Sequence, residues 1–153
     1  AFAEEGVSPE RLDLRGHSPS VSDHLGSYGE MDIALDPFPC NGGTTTADAL
    51  WMGVPVLTRP GPTMIERMSA SMLESVGLRD WIAGDDDDFV AKAVAMAAQR
   101  NALHELRAGL RQQMRASPLC DGLGMARALE GAYRSMWHQW LNMTGNTDAR
   151  PPA

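Results

Sequence analysis

Lysine and net positive charge are what this sequence lacks most clearly. Lys92 is the only lysine among 153 residues, and thirteen Lys and Arg residues face twenty Asp and Glu residues, giving a net charge of −7. A nucleic-acid-binding surface needs clustered basic side chains, so this composition argues against nucleic acid as a partner. The charge balance also gives no overall attraction for an anionic ligand. A phosphate group must therefore be bound by local backbone and hydroxyl geometry.

Cysteine and long apolar segments are scarce as well. Cys40 and Cys120 are too few for a disulfide framework or a zinc site, and we expect two reduced thiols. No apolar run reaches the roughly 18 residues of a membrane span, and no signal peptide is visible. The chain begins with Ala1 rather than methionine, so we expect a fragment of a longer polypeptide. Together these absences predict a cytoplasmic protein with no membrane partner.

Short apolar runs alternate with amphipathic segments along the chain. Residues 31–36 and 54–58 are runs typical of buried parallel strands, and residues 11–14 and 81–82 are shorter strand candidates. This alternation predicts an α/β, Rossmann-like three-layer domain over residues 1–141, with ligands bound beyond the carboxyl ends of the strands. Residues 142–153 are polar and end in prolines, which predicts a disordered tail. Breakers and periodicity place the main helices at residues 44–52, 64–76, 89–98, 103–115 and 125–141.

Four consecutive aspartates, Asp85 to Asp88, precede the helix predicted from Phe89. Such a cluster could bind calcium, but it lacks the alternating ligand spacing and the distal glutamate of a calcium-binding loop. Carboxylates in the first turn of a helix complement its dipole, so we interpret the run as a helix cap rather than a metal site.

The most informative segment is the turn between the first buried strand and the following helix. The first amides of a helix have no acceptor within it and carry the positive end of the dipole, so they suit an anion. Gly42 and Gly43 let the backbone approach a phosphate closely, and Thr44 and Thr45 add hydroxyl donors. Asp48 lies one helical turn further on the same face, where a carboxylate can accept hydrogen bonds from ribose hydroxyls. The alternative is an ordinary turn with a threonine cap and an exposed aspartate.

Residues 35–58 resemble the C-terminal catalytic lobe of the protein O-GlcNAc transferase and SPINDLY family, in a bacterial form. The stretch from Asn41 to Pro55 is the most specific part, and the similarity returns at residues 117–119 and 129–137. The resemblance implies the C-terminal lobe of a GT-B glycosyltransferase, which holds the nucleotide of the sugar donor. Carried over by position, it implies that the diphosphate is bound by Gly42, Gly43, Thr44 and Thr45. It likewise implies that Asp48 binds the ribose and that His24 and Pro19 contact the base and ribose.

The function implied by this resemblance is transfer of a sugar to Ser and Thr hydroxyls of proteins, with inversion and without a metal or other cofactor. N-acetylglucosamine from UDP-GlcNAc is the first candidate donor, and GDP-fucose is the alternative. No catalytic residue is assigned within this chain. The upstream lobe and tetratricopeptide repeats of the same polypeptide are the implied partners, together with an acceptor protein. We therefore expect the isolated chain to be inactive.

Two readings compete with that function. A lobe without catalysis could sense a nucleotide or dock a partner, and another two-lobed sugar-nucleotide enzyme, such as an epimerase, could share the turn. The intact Gly-Thr-Thr sequence and Asp48 favour the enzyme over a degenerate module. The segment from Trp51 to Pro55 fits the O-GlcNAc transferase group better than an epimerase.

Overall fold

The structure, a computed structural model, describes residues 2–144. Two short strands, β1 and β2, pair in parallel, with Ala34 opposite Val56 and Leu35 opposite Leu57. A parallel bridge between Thr58 and Ile82 extends this sheet by a third chain segment on the far side of β2. The strands are β1 (Ala34–Leu35) and β2 (Val56–Leu57), and the helices are α1 (Val21–Ser27), α2 (Thr44–Trp51), α3 (Met68–Val76), α4 (Asp86–Ala98), α5 (Arg100–Arg115) and α6 (Gly122–Thr144).

The hydrophobic core lies between this sheet and the helices around it. Leu50 of α2, Leu57 of β2, Leu73 of α3 and Leu110 of α5 are all fully buried and belong to one cluster. Because each of these helices is amphipathic, packing its apolar stripe on the sheet removes that stripe from water. The result is the predicted arrangement, in which α2 and its preceding turn follow the carboxyl end of β1.

The helix boundaries follow from local chemistry. Gly77, with φ of 85°, ends α3 in the left-handed conformation, which glycine adopts without a Cβ penalty. Asp85 caps α4 by accepting a hydrogen bond from the Asp88 amide at 2.8 Å, and the Asp88 carboxylate accepts one from the Gly84 amide at 2.9 Å. The capping interpretation of the aspartate run is confirmed.

Several predicted elements differ from the structure. The strand candidate at residues 81–82 is the end of a 3-10 turn at Arg79–Trp81 followed by a single bridge at Ile82, because only one residue there pairs with the sheet. Helices α4, α5 and α6 each begin three residues before the predicted position, and the helix predicted at residues 64–76 opens with a 3-10 turn at Ile65–Arg67 before α3.

The segment at residues 11–14 is not a strand, because it lies exposed at the end of a 3-10 turn at Pro9–Arg11 and finds no strand to pair with among residues 2–144. Helix α6 extends to Thr144 and so includes the first three residues of the predicted tail, and the remaining tail residues 145–153 lie outside the described part. Within residues 2–144, no helix is long and apolar enough to cross a membrane.

One long helix leaves an apolar surface uncovered. On α6, Leu129 is 42% exposed, Tyr133 65% and Trp140 48%, and the rings of Trp137 and Trp140 stack with centroids 5.1 Å apart. An amphipathic helix of this kind is stabilised by burial of its apolar stripe, so this face is suited to packing against another protein segment.

Candidate functional site

A buried aspartate fixes the turn that enters α2. Asp36 directly follows β1 and is 5% exposed. Its Oδ1 accepts a hydrogen bond from the Gly42 amide at 2.7 Å, and its Oδ2 accepts one from the Thr58 hydroxyl, also at 2.7 Å. One carboxylate therefore ties the carboxyl ends of two neighbouring strands to the glycine turn, and the Gly42 amide is already used within the protein.

The same turn is held from its other side by α3. The Ser69 hydroxyl, fully buried, donates to the Gly42 carbonyl at 2.9 Å and lies 2.8 Å from the Thr46 hydroxyl. The Asn41 side-chain amide closes the loop by donating to the Pro37 carbonyl at 3.2 Å. Both backbone polar groups of Gly42 thus have side-chain partners, so the turn is preorganised before any ligand arrives.

The first turn of α2 offers free backbone donors. The first hydrogen bond of the helix runs from the Ala47 amide to the Gly43 carbonyl at 3.1 Å. The amides of Thr44, Thr45 and Thr46 come before it and have no acceptor within the helix. Thr44 and Thr45 are exposed, whereas Thr46 is buried against Ser69. The helix dipole adds partial positive charge at this end, so the exposed part of the turn can accept an anion such as a diphosphate.

The predicted ribose and base residues lie together beside this turn. His24 of α1 has its Nε2 3.6 Å from Oδ2 of Asp48, with the two side chains 42% and 30% exposed. The His24 ring also meets the edge of Tyr28 at a centroid distance of 5.4 Å. The Tyr28 hydroxyl donates to the Thr45 carbonyl at 3.3 Å. These contacts link α1 to the helix that carries Asp48 and the threonines.

An open cavity continues from His24 along the preceding loop. It has a volume of about 510 Å³ and is lined by His17, Pro19, Val21 and His24. This volume is within the range of small-molecule sites. The structure thus brings Pro19, His24 and Asp48 into one continuous strip with the first turn of α2.

The structure also settles the role of Arg67. Its guanidinium donates to the carbonyls of Pro62 and Thr63, at 3.2 Å and 3.4 Å. Arg67 therefore orders the loop after β2.

The ionisation of Tyr28 makes the stability of the fold depend on pH. Burial, and then the nearby negative charge of Asp48, raise the pKa of Tyr28 above its ordinary value. A group with a raised pKa in the folded state stabilises the fold below its unfolded pKa, here about 10, and this contribution is lost as the pH rises further.

We expect the free energy of unfolding to fall more steeply above pH 10 in the natural chain than in Tyr28→Phe. The chain has one lysine, Lys92, and one tyrosine besides Tyr28, so the background from these residue types is small. Urea unfolding between about pH 8 and pH 11 measures the difference. Parallel pH profiles for the two proteins would contradict it.

Sequence reasoning missed Asp36, Ser69 and Thr58 as determinants of the turn. Asp36 had a usable signal, since a carboxylate that ends a buried apolar run must find hydrogen-bond donors close by. Ser69 and Thr58 had none, because their contacts with the turn span more than 20 residues of sequence.

Known proteins match the chain over most of its length. A profile of glycosyl transferase family 41 matches residues 3–129. The probable UDP-N-acetylglucosamine–peptide N-acetylglucosaminyltransferase SPINDLY of Hordeum vulgare is 43% identical over 139 residues, which are 91% of this chain and 15% of that protein. The probable transferase of the same description named SEC, from Arabidopsis thaliana, is 32% identical over 137 residues, which are 89% of this chain and 14% of that protein.

The fold agrees with these sequence matches. A solved structure of a mutant O-GlcNAc transferase from Thermobaculum terrenum superposes with a TM-score of 0.85 and 34% identity, covering 94% of this chain and 27% of that one. This likeness confirms the Rossmann-like fold class, and the chain spans about 15% of the length of its curated plant relatives. With the family profile, the sequence matches and the fold in agreement, the chain belongs to glycosyl transferase family 41.

Proposed function

We propose that this chain is the donor-binding part of a protein O-linked glycosyltransferase, and that its donor is UDP-GlcNAc. The observation that carries the proposal is one continuous strip, formed by the free first turn of α2, the Asp48–His24 pair and the cavity at Pro19. The strip has the order of parts that a nucleotide sugar needs: anion donors, a carboxylate for the ribose and an open pocket for the base. The names of the plant relatives support the choice of donor.

The chemical task of these residues is to stabilise the leaving group. Transfer breaks the bond between the anomeric carbon and the diphosphate, so negative charge builds on the diphosphate oxygens as the acceptor hydroxyl attacks from the opposite face. The amides and hydroxyls of Thr44 and Thr45 face that charge without reorganisation, because the turn is fixed by Asp36 and Ser69. In this proposal no metal takes part, so added chelator leaves transfer by the complete enzyme unchanged.

The remaining parts of the enzyme come from the rest of the polypeptide. The chain covers about 15% of its plant relatives, and an upstream lobe supplies the acceptor contacts and the catalytic groups in our proposal. Tetratricopeptide repeats of the same polypeptide recruit the acceptor protein. The uncovered apolar face of α6 is the surface against which the upstream lobe packs. The 153-residue chain alone therefore binds nucleotide and does not transfer sugar.

Replacing Asp48 by alanine tests the ribose contact. We expect Asp48→Ala to weaken UDP binding by about 1.5–3 kcal/mol, the scale of a charge-assisted hydrogen bond. Calorimetric titration of the folded variant measures the effect. Asp87→Ala is the matched control, because it removes an exposed carboxylate from the first turn of α4 and leaves the site intact. Equal affinities for UDP in Asp48→Ala and in the natural chain would show that Asp48 does not contact the nucleotide.

Side-by-side titration with UDP and GDP tests the identity of the base. The proposal predicts tighter binding of UDP. Tighter binding of GDP would replace UDP-GlcNAc with a guanosine donor such as GDP-fucose, and binding of neither would favour a module that does not hold a nucleotide.

A further inference from the structure

A polar groove lies at the opposite end of the sheet from the glycine turn. It has a volume of about 600 Å³ and is bounded by α4, α5 and the segment that enters β1. Ile33, which lines it, directly precedes β1, whereas Asp36 and the glycine turn follow that strand. The groove is therefore formed at the amino ends of the strands. We call it the basic groove; the residues used below are Asp32, Ile33, Arg100, Leu103, His104 and Arg107.

Positive charge is concentrated in the basic groove although the chain is acidic overall. Arg100, His104 and Arg107 follow one another at steps of four and three along α5, which places them on one face of the helix. Arg107 is engaged, since its Nε donates to the Gly53 carbonyl and its Nη1 to Asp32. Within residues 2–144, no hydrogen bond or ion pair engages the side chains of Arg100 and His104. Their donors are thus available to a ligand.

Arg100 lies at the junction of two helices. It is the first residue of α5, and Gln99 before it caps both the carboxyl end of α4 and the amino end of α5. The opposite dipole ends offset each other, so the positive charge here is that of the Arg100 side chain. The planar guanidinium of Arg100 is suited to the oxygens of a phosphate group.

The other walls of the basic groove differ from its cationic side. Ile33 and Leu103 are apolar, and the Asp32 carboxylate is 79% exposed, so it can accept hydrogen bonds from hydroxyl groups. The groove volume also exceeds what a lone phosphate ion needs. We propose that the basic groove is a second ligand site, which takes the phosphate group of a small phosphorylated sugar on Arg100 and His104 and its hydroxyls on Asp32.

Amide chemical-shift titration of the 153-residue chain tests this site separately from the donor site. The probes are glucose 6-phosphate, inorganic phosphate and glucose. We expect glucose 6-phosphate to shift the amides of Ile33, Ala97 and Leu103 in a saturable manner, to bind more tightly than inorganic phosphate, and to leave those shifts unchanged when UDP is present. Glucose produces no such shifts.

Matched variants assign the binding to the groove. Arg100→Ala and His104→Ala each weaken glucose 6-phosphate binding about tenfold, the equivalent of one charge-assisted hydrogen bond, without changing UDP affinity. Arg115→Ala, which removes a charge from the last turn of the same helix, leaves binding unchanged. Shifts confined to Thr44 and Thr45, equal binding of inorganic phosphate and glucose 6-phosphate, or full affinity in Arg100→Ala would each overturn the proposal.

Discussion

Gly42→Ala is expected to lose at least tenfold in UDP affinity and to destabilise the fold by about 1–3 kcal/mol, the usual cost of overpacking. A Cβ at this position would lie 2.5 Å from the Thr46 hydroxyl, 2.8 Å from the Thr45 hydroxyl and 3.2 Å from Asp36 Oδ1. The Thr45 hydroxyl is exposed and can rotate away. The Thr46 hydroxyl is held by Ser69, and Asp36 is held by Thr58, so the turn itself must move.

The effect on binding arises because the moved turn is the one that aims the free amides of α2. Urea unfolding measures the stability and calorimetry measures UDP affinity. Gly109→Ala is the matched control, since a Cβ at Gly109, inside α5, meets nothing within 4 Å. Alanine is about 0.5–1 kcal/mol more favourable than glycine within a helix, so this control is expected to raise stability and leave affinity unchanged. A Gly42→Ala protein with natural stability and affinity would show that the turn tolerates a side chain and that its packing is not what shapes the site.

Asp36→Ala is expected to destabilise the fold by about 3 kcal/mol. The change removes two hydrogen bonds to a buried carboxylate and leaves the fully buried Thr58 hydroxyl without its acceptor. Asp36→Asn keeps an oxygen for the Gly42 amide and an amide group that can donate to the Thr58 oxygen, so its cost is expected to be about 1 kcal/mol.

A double variant separates the loss of the two hydrogen bonds from the cost of leaving the Thr58 hydroxyl without an acceptor. In Asp36→Ala with Thr58→Val, the unsatisfied hydroxyl is gone, and we expect the pair to be at least about 1 kcal/mol more stable than the sum of the single changes predicts. Urea unfolding of the four proteins closes the cycle. Additive effects, or an Asp36→Asn protein as unstable as Asp36→Ala, would show that the carboxylate does not act through these two bonds.

The sequence predicts the parts of this molecule that depend on neighbours along the chain. The turn at Gly42 and Gly43, the start of α2 at Thr44, the Gly77 helix end and the Asp85 cap all follow from local backbone chemistry. Asp48 could be placed one turn below Thr44 because helical spacing fixes that relation.

The remaining features depend on contacts between distant segments. That His24 lies 3.6 Å from Asp48 rests on the packing of α1 beside α2, which no local pattern specifies. Asp36 and Ser69 hold Gly42 from two different elements. The position of Asp36 at the end of a buried run signals a need for donors but not which donors, and Ser69 carries no signal. The segment at residues 11–14 has the composition of a strand, but strand formation also requires a partner, and the sheet that would provide one is assembled elsewhere in the chain.

In the proposed function, the first turn of α2 binds the diphosphate of a nucleotide. The most direct measurement is a crystal structure of the chain with bound UDP. We expect phosphate oxygens within hydrogen-bond distance of the Thr44 and Thr45 amides, with the ribose at Asp48 and the base in the cavity at Pro19 and His24. Electron density for UDP in another pocket, with the glycine turn left empty, would contradict it.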